Sequence, residues 1–234
     1  MSSRKPLADD DHPAIQARAQ ELTEGRLTRR DQLESLFHFV RDDIRFGFPP
    51  KWDEVKASET LKYGIGYCTT KATLFLALCK AAGIPARVHT GLISLEIMRG
   101  VFPDFAFRSL PDRGGHAWLE VELDEAWWPI DAYIPDRRFF DGALERLRGS
   151  GKATGFGISL AKGPTSCEFN FGEKGFVQMG AVLEDHGTWE DFADYVASPA
   201  YGRMNLVQRM AYPWMARMSN RTIEGIRDAR PKVN

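Results

Sequence analysis

The sequence predicts an α+β fold in which one long apolar helix packs against a small antiparallel β-sheet. The helix is indicated by an apolar segment that begins at Cys68, directly after a glycine-containing turn. The sheet is indicated by alternating apolar and polar residues over 116–123 and by a second strand-like segment after a short turn. With 234 residues, the chain is long enough for one large domain or for a domain with an appendage.

The first part of the chain predicts short helices joined by loops. Residues 1–12 are interpreted as a polar leader, and a helix is predicted over 13–25, where a proline suits the first turn. Thr28 is a favourable N-cap for a second helix, which we expect to run to about Arg45. A short element over 57–63 is expected to lead into the glycine turn before Cys68.

The central helix is predicted over 68–82, because its apolar residues recur at helical spacing. Gly83 follows as the expected C-terminal cap, since glycine tolerates the left-handed backbone conformation that ends many helices. A strand is predicted over 85–94. Residues 95–113 contain both aromatic residues and prolines, and they are expected to form a long loop or a short helix.

A β-hairpin follows. Residues 116–123 alternate, which places the odd-numbered apolar residues on one face of a strand and the even-numbered residues, including His116, on the other. The turn is expected at residues 124–125, and the return strand is predicted over 127–134. This hairpin and the strand before it would form the small antiparallel sheet.

The C-terminal third is less regular. Residues 135–165 are charged and then glycine-rich, which predicts a surface insertion. One or two strands are expected within 166–183, and a helix over 185–197. Residues 203–230 predict an amphipathic helix rich in Met and Arg, with a break near Pro213. Its methionine and arginine stripe is consistent with a core face and a solvated face, or with a lid or partner surface.

These elements suggest a division into three parts. The leader covers residues 1–12, a core that contains the central helix and the hairpin covers 13–135, and residues 136–234 form an insertion and a C-terminal helical extension. The extension would belong to the same domain or act as a lid.

Composition excludes several classes of protein. The formal net charge of −1 disfavours a general attraction to nucleic acid or to an anionic membrane. The cysteines, Cys68, Cys79 and Cys167, are widely spaced without a CxxC pair, so neither a disulfide framework nor a zinc site is predicted. The first residues lack the apolar core of a secretory signal, and no segment is apolar for the length of a membrane span. We therefore expect a cytoplasmic protein with reduced thiols and no bound cofactor.

Cys68 is the candidate nucleophile. A thiol must lose its proton to attack a carbonyl carbon, and the positive end of a helix dipole favours the thiolate. By itself, a cysteine before an apolar helix is more often a small buried residue. Cys79 lies within the same helix and is expected in the core.

His116 is the candidate base, and Asp131 the candidate residue that orients it. Folding the predicted hairpin brings the two within about two positions of opposition, close enough for a carboxylate–imidazole hydrogen bond across neighbouring strands. His89 is a rival base on another predicted strand. The backbone N–H of Cys68 would bind the oxyanion, with Trp52, Tyr63 and Tyr67 considered as sources of a second donor.

The sequence resembles the transglutaminase-like superfamily of cysteine enzymes. The resemblance rests on GIGYCTTKATLFLALCKAAGIPARV at 64–88, GGHAWLEVEL at 114–123 and WWPIDA at 127–132. It implies a papain-like α+β fold in which Cys68 opens the central helix, with His116 and Asp131 on neighbouring strands. The matching region covers roughly residues 30–135. The length leaves no room for the calcium-binding regions and flanking β domains of animal transglutaminases, so a compact microbial-type member is implied.

The resemblance implies acyl transfer on an amide or thioester through a Cys68 acyl-enzyme. Three functions remain open: a hydrolase of peptide or amide bonds, a biosynthetic amide-forming transferase with a carrier-bound donor, and a catalytically silent binding module. Arginines at 137–138 and at 146 and 148 could form a basic rim for an acidic carrier protein, or simply an exposed helix face.

Overall fold

The computed structural model describes residues 5–52, 54–170 and 176–228. Parts of the predicted leader (1–4), of the segment 166–183 (171–175) and of the last helix (229–230) lie outside the described residues. The helices are α1 Pro13–Thr23, α2 Arg29–His38, α3 Ala57–Tyr63, α4 Cys68–Ala81, α5 Asp104–Phe107, α6 Arg137–Ser150, α7 Phe192–Ala197 and α8 Leu206–Arg227. The strands are β1 Arg45–Phe46, β2 Ile65–Gly66, β3 Ala86–Ser94, β4 Arg113–Leu123, β5 Ala126–Ile130, β6 Thr154–Gly155, β7 Ile158–Ser159 and β8 Val182–Trp189.

Helix α4 is the centre of the fold. It contacts α1 and α3 on one side and strands β3 and β4 on the other. Every residue from Thr69 to Cys79 is buried, so the helix has no solvated face. The sequence predicted only a narrower buried stripe, formed by apolar residues at helical spacing. A helix buried on all sides is typical of the core of an α+β protein.

Four antiparallel strands form the main sheet, in the order β5-β4-β3-β8. The predicted pairing of β3 with β4 is confirmed, and Gly91 lies opposite His116. The β4–β5 hairpin turns at Asp124 and Glu125, which both have positive φ angles of 53° and 61°. Two consecutive left-handed residues are typical of the type I′ turn that matches the twist of a hairpin.

The predicted return strand of the hairpin is too long. Strand β5 ends at Ile130, the partner of Leu119. The chain then bends, and the N–H of Ile134 donates a hydrogen bond of 3.0 Å to the carbonyl oxygen of Asp131. Asp136 then caps α6 by accepting a hydrogen bond of 3.0 Å from the N–H of Phe139. This tight connection takes residues 131–134 out of the sheet.

The surface insertion predicted over 135–165 is incorrect for its first half, which forms α6. The apolar side chains of this helix face the core, and they include Phe139, Ala143 and Leu147. The spacing of these residues is helical, but the surrounding arginines and the later glycines obscured it. Helix α6 packs against α8.

The helix predicted over 185–197 is also incorrect at its start. Residues from Val182 to Trp189 form β8, which pairs with β3 at the edge of the sheet. Helix α7 begins only after Asp191, whose side chain accepts a hydrogen bond of 2.8 Å from the N–H of Ala193. The same carboxylate accepts hydrogen bonds from the backbone N–H groups of Leu7 and Ala8, so this part of the leader is held against the fold.

Helix α8 continues through Pro213 without the predicted break. It is anchored at several points: Asn220 exchanges hydrogen bonds with the backbone of Phe48, and Arg227 forms a buried ion pair with Asp136. No helix within the described residues is long and apolar enough to cross a membrane. The division of the chain at residue 135 stays a prediction.

Candidate active site

Cys68 is the first residue of α4, at the end of a tight turn. Gly64 ends α3 with a φ angle of 62°, in the left-handed region. A Cβ atom at Gly66 would lie 2.7 Å from Oγ1 of Thr70, so the backbone there comes too close to α4 for any side chain. The two glycines therefore allow the short parallel pair β1–β2 to place Cys68 directly at the helix N-terminus.

The thiol of Cys68 is partly buried, whereas the thiols of Cys79 and Cys167 are buried. Burial raises the pKa of Cys79 far above its ordinary value and that of Cys167 to about 11. A thiol that stays protonated is a poor nucleophile. Burial therefore argues against Cys79 and Cys167 as nucleophiles.

His116 lies on β4 with its side chain almost completely buried, at 1% exposure. Its Nε2 atom has no hydrogen-bond partner within the described residues. Burial lowers the pKa of His116 to about 3. A buried imidazole without a charged partner stays neutral, and a neutral imidazole can accept a proton.

Asp131 is fully buried immediately after β5. Its Oδ1 accepts a hydrogen bond of 2.8 Å from the N–H of Val177, and Oδ2 accepts bonds of 2.6 and 2.9 Å from the N–H groups of Gln178 and Met179. Burial raises the pKa of Asp131 to about 6, although these three backbone donors act in the opposite direction. The carboxylate therefore holds the segment 177–179 against the sheet.

The expected hydrogen bond between Asp131 and His116 is not present in this structure. The carboxylate of Asp131 is instead bound by three backbone N–H groups, and Nε2 of His116 has no partner among the described residues. The hairpin register explains the offset: with Leu119 opposite Ile130, the next position places Asp131 opposite Trp118 rather than opposite His116. Asp131, directly after the end of β5, and His116, on β4, therefore make no hydrogen bond with each other.

Cys68 and His116 line one cavity of about 380 Å³, which we call the Cys68 cavity. Asp131 is not among the described residues that line the cavity, but Gln178 is, and its backbone N–H donates a hydrogen bond to Asp131. Of the residues considered as a second oxyanion donor, Trp52 and Tyr67 line the cavity. Their rings stack on each other, with centroids 5.3 Å apart. Tyr63 is not among the described residues that line it.

His89, the rival base, serves a different purpose. Its ring nitrogens bind Glu120 at 2.7 Å and Asp185 at 2.6 Å, and its ring stacks on Trp118. Burial disfavours the charged ring, but the hydrogen bonds to the two carboxylates raise the pKa of His89 overall. It is not among the described residues of the Cys68 cavity. His89 therefore joins β3 to its neighbouring strands.

The arginines of α6 do not form a rim around the Cys68 cavity. Arg137 pairs with Glu168, Arg138 pairs with Asp228, and Arg146 binds the carbonyl oxygen of Gly225. Arg138 and Arg146 thus contact the end of α8, whereas Arg137 contacts Glu168. Within the described residues, no group of His, Cys, Asp and Glu side chains is arranged to hold a metal ion.

Sequence reasoning missed Lys71, which lies one turn after Cys68 and is completely buried. Its Nζ donates hydrogen bonds of 3.1 Å to the carbonyl oxygen of Arg41 and 2.9 Å to that of Ile134. Burial lowers the pKa of Lys71 to about 7. Lys71 thereby connects the nucleophile helix to the segment that follows Asp131. A lysine inside an otherwise apolar helical stretch is the signal that could have drawn attention to it.

Gln178 was also missed, and no pattern in the sequence marks it. It lies in a segment without clear periodicity, and its contacts with Asp131 join parts of the chain far apart in sequence. The cavity residues Met204 and Met215 belong to the stripe that the sequence analysis interpreted as a core face, a lid or a partner surface.

Comparison with known families decides the classification. The sequence profile of the transglutaminase-like superfamily matches residues 16–132, which is half of the chain. The chain belongs to the transglutaminase-like superfamily. The match ends directly after Asp131, and it includes Cys68 and His116. The α+β fold, with a helix packed on a small antiparallel sheet, agrees with this membership.

Among solved structures, the chain is similar to a candidate cysteine protease from Cytophaga hutchinsonii, with 17% identity, a TM-score of 0.49 and coverage of 81% of this chain and 46% of that one. It is also similar to the periplasmic domain of TgpA from Pseudomonas aeruginosa bound to ethylmercury, with 21% identity, a TM-score of 0.40 and coverage of 63% and 49%. A candidate protease from Parabacteroides distasonis shows 14% identity, a TM-score of 0.39 and coverage of 54% and 24%.

The chain spans less than half of the length of each of these structures. No curated protein matches it. Membership of the transglutaminase-like superfamily supports cysteine-dependent hydrolysis or acyl transfer in general terms.

Proposed function

We propose that this protein is a thiol enzyme that hydrolyses amide bonds, with Cys68 as nucleophile, His116 as base and acid, and Asp131 as the residue that orients the imidazole. The observation that carries the proposal is that Cys68, at the N-terminus of α4, and His116, on β4, line the same cavity. A nucleophile and a base that converge on one substrate-sized space are the minimum requirement of covalent acyl transfer.

In the first step, Sγ of Cys68 attacks the carbonyl carbon of the substrate, and the thiol proton moves to His116. The carbonyl oxygen becomes an oxyanion at the positive end of α4, with the backbone N–H of Cys68 as a donor. The tetrahedral intermediate collapses, and the C–N bond breaks. The departing amine takes the proton from His116, which leaves a thioester on Cys68.

In the second step, water attacks the thioester and gives a proton to His116. The C–S bond then breaks, the carboxylic acid leaves, and the proton returns to Cys68. The same two residues thus act in both steps, and the protein ends in its starting state. Burial leaves the resting imidazole of His116 neutral, the form that can accept a proton, but weakly basic, so the imidazolium has to be stabilised as it forms.

Asp131 retains the capacity to bind His116. A carboxylate oxygen has two lone pairs, and the bond from the N–H of Val177 occupies one of those of Oδ1. Nε2 of His116 is the buried ring atom without a partner in the described structure. We infer that the Asp131–His116 bond forms when His116 becomes charged during the reaction, since catalytic hydrogen bonds often tighten only at that stage.

The proposal is tested by trapping the acyl-enzyme. Incubation with a p-nitrophenyl ester and intact-mass analysis should show one added acyl group, which peptide mapping assigns to Cys68. We expect no adduct with Cys68→Ala, and a rate about 10²- to 10⁴-fold lower with His116→Ala. Cys79→Ala is the matched control, because the thiol that it removes is buried. This variant should form the Cys68 adduct at the rate of the parent protein. Acylation that continues in Cys68→Ala would refute the assignment of the nucleophile.

An amide-forming transferase is a second candidate, and the largely apolar wall of the Cys68 cavity favours it. Apolar surroundings limit the access of water to a thioester and lengthen its lifetime. The trapped acyl-enzyme separates the two functions. Release of the free acid in the presence of millimolar amines supports the hydrolase, whereas formation of the amide product supports the transferase. A carrier-bound donor stays a prediction, since the arginines of α6 lie outside the cavity wall.

A silent binding module is the third candidate, and the missing Asp131–His116 bond is the observation in its favour. It predicts no covalent adduct in the trapping experiment and ordinary thiol reactivity at Cys68. A cytoplasmic location also stays a prediction from the sequence, to be tested by fractionation of cells.

A further inference from the structure

The Cys68 cavity has a strongly apolar wall beside the nucleophile. Its apolar residues come from several parts of the chain, and they include Phe48, Phe102, Leu95 and Met215. Its volume of about 380 Å³ is within the usual range for pockets that hold small molecules. A space of this size and polarity, open to Cys68, is suited to the part of a substrate attached to the reacting carbonyl group.

The apolar wall is well ordered by ring stacking. The rings of Phe48 and Phe102 stack at 5.2 Å, and the ring of Phe48 also lies 5.4 Å from that of Tyr67, the residue before the nucleophile. Phe48 and Phe102 are buried at 5% and 7% exposure, so they are held by the core. A wall that is fixed before binding loses little side-chain entropy when a ligand arrives.

The charged side chains in the described wall of the cavity are cationic. Arg113 and Arg203 belong to its wall, whereas none of the described residues that line it carries a carboxylate. A cationic group entering this space would lose water and find no carboxylate in the described wall. It would instead meet the guanidinium group of Arg203 and that of Arg113, which pairs with Glu184 at 3.6 Å outside the wall. The cavity therefore disfavours substrates whose acyl part carries an amine.

We propose, on the basis of the acyl-transfer function above, that the Cys68 cavity binds the acyl part of the substrate, and that this part is apolar and uncharged. Medium-chain alkanoyl and arylalkanoyl groups have this chemistry. The enzyme thus acts on N-acyl amides or acyl thioesters with hydrophobic acyl groups, and it selects against polar or cationic ones. Burial of each additional methylene group makes binding of a longer apolar acyl group stronger. The fixed aromatic wall limits the length of the acyl chain that fits.

The test separates binding from chemistry. N-Methylamides of butanoic, hexanoic and octanoic acids are titrated into Cys68→Ala by calorimetry, so that no reaction takes place. We expect Kd to fall about fourfold for each methylene group that enters the cavity. The N-methylamide of 6-aminohexanoic acid should bind at least about tenfold more weakly than that of hexanoic acid. Affinity that is independent of chain length, or equal affinity for the cationic amide, would overturn the proposal.

Two variants on α8 locate the binding site. Met215 lines the cavity, and Met210 lies on the same helix with 75% exposure, outside the cavity wall. In the Cys68→Ala background, Met215→Glu should weaken the binding of the octanoyl amide by at least about tenfold, whereas Met210→Glu should leave Kd unchanged. An equal effect of the two substitutions would place the ligand elsewhere and reject the cavity.

The outcome also distinguishes this inference from the proposed function. If the amides bind as expected but the parent protein never forms a thioester, the cavity assignment stands and the acyl-transfer function fails. If the parent protein forms the thioester equally well with short, long and charged acyl groups, the function stands and the selectivity for apolar acyl groups fails.

Discussion

Oδ2 of Asp131 lies 2.6 Å from the backbone nitrogen of Gln178, and this bond joins the predicted catalytic carboxylate to a residue in the wall of the Cys68 cavity. The carboxylate of Asp131 also accepts hydrogen bonds from the backbone N–H groups of Val177 and Met179. Asp131 thus has a structural role that is independent of any role in catalysis. Substitutions at this position have to be interpreted with both roles in mind.

Asp131→Ala should destabilise the fold strongly, because it leaves the two buried N–H groups of Val177 and Gln178 and the partly buried one of Met179 without their acceptor. Each such group costs about 1–3 kcal/mol. Asp131→Asn keeps one oxygen as an acceptor, so its free energy of unfolding should fall less than that of Asp131→Ala. Urea unfolding followed by circular dichroism measures the free energy of unfolding of both variants. Asp228→Ala is the control, since it removes only a surface ion pair with Arg138, worth about 0–1 kcal/mol.

The same variants test the role of Asp131 in orienting His116. If Asp131 acts only through the segment 177–179, then Asp131→Asn should alter stability and leave the rate of Cys68 acylation nearly unchanged in the folded protein. We expect instead a further loss of rate, because an amide cannot stabilise the imidazolium. An acylation rate equal to that of the parent protein would assign Asp131 to structure alone.

The charge of His116 in the resting protein determines how the reactivity of the Cys68 thiol should depend on pH. Burial lowers the pKa of His116 to about 3, so we expect a neutral imidazole near neutral pH and no thiolate–imidazolium pair before substrate binds. Alkylation of Cys68 by iodoacetamide should therefore accelerate with pH, by about tenfold per unit below the pKa of the thiol. Rapid alkylation with the same rate at pH 6 and pH 8 would show that the ion pair is already formed.

Much of the central part of the fold could be predicted from sequence because its signals are local. The helix over 68–82 and the hairpin with its turn at 124–125 depend on periodicity and on turn residues that lie next to each other in the chain. The structure confirms both elements. The tight turn before Cys68 depends on neighbouring glycines, and it too was predicted.

The remaining features depend on contacts between distant parts of the chain. The edge position of β8 follows from pairing with β3, and short polar segments at an edge carry little strand signal of their own. The burial of Lys71 depends on two carbonyl groups far away in sequence. For the same reason, the partners of Asp131 in the segment 177–179 could not be deduced from the hairpin alone.

Lys71 should give the stability of the protein a characteristic pH dependence. Its pKa is lowered by burial from 10.5 to about 7, so between these values the unfolded chain binds a proton that the folded protein does not. The free energy of unfolding should therefore rise with pH from about 7 to 10.5, by up to about 1.4 kcal/mol per pH unit from this group.

The Lys71→Met variant isolates this contribution. Methionine fills similar space without a titrating group. The free energy of unfolding of the parent minus that of the variant should therefore increase from pH 7 to pH 9. Urea titrations at each pH, with equal m-values, provide the measurement. Lys80→Met serves as a control for lysine removal, because Lys80 lies at the solvated end of α4. If the free energies of unfolding of the parent and of Lys71→Met differ by the same amount at every pH in this range, Lys71 stays charged in the folded protein.

The buried ion pair between Arg227 and Asp136 should be the strongest anchor of α8. Nε and Nη2 of Arg227 lie 3.0 and 2.5 Å from the two carboxylate oxygens, and Nη2 also binds the carbonyl oxygen of Phe46. Because removal of one partner leaves a buried charge, Arg227→Met should cost about 3–5 kcal/mol. Arg138→Met breaks an exposed pair and should cost no more than about 1 kcal/mol.

Limited proteolysis distinguishes loss of this anchor from general unfolding. If Arg227 mainly fixes α8, the variant should be cleaved first within α8, and binding of the octanoyl amide should weaken, because Met215 on that helix lines the Cys68 cavity. Cleavage spread evenly over the chain, with a single cooperative urea transition, would instead mean that α8 and the core around α4 unfold together.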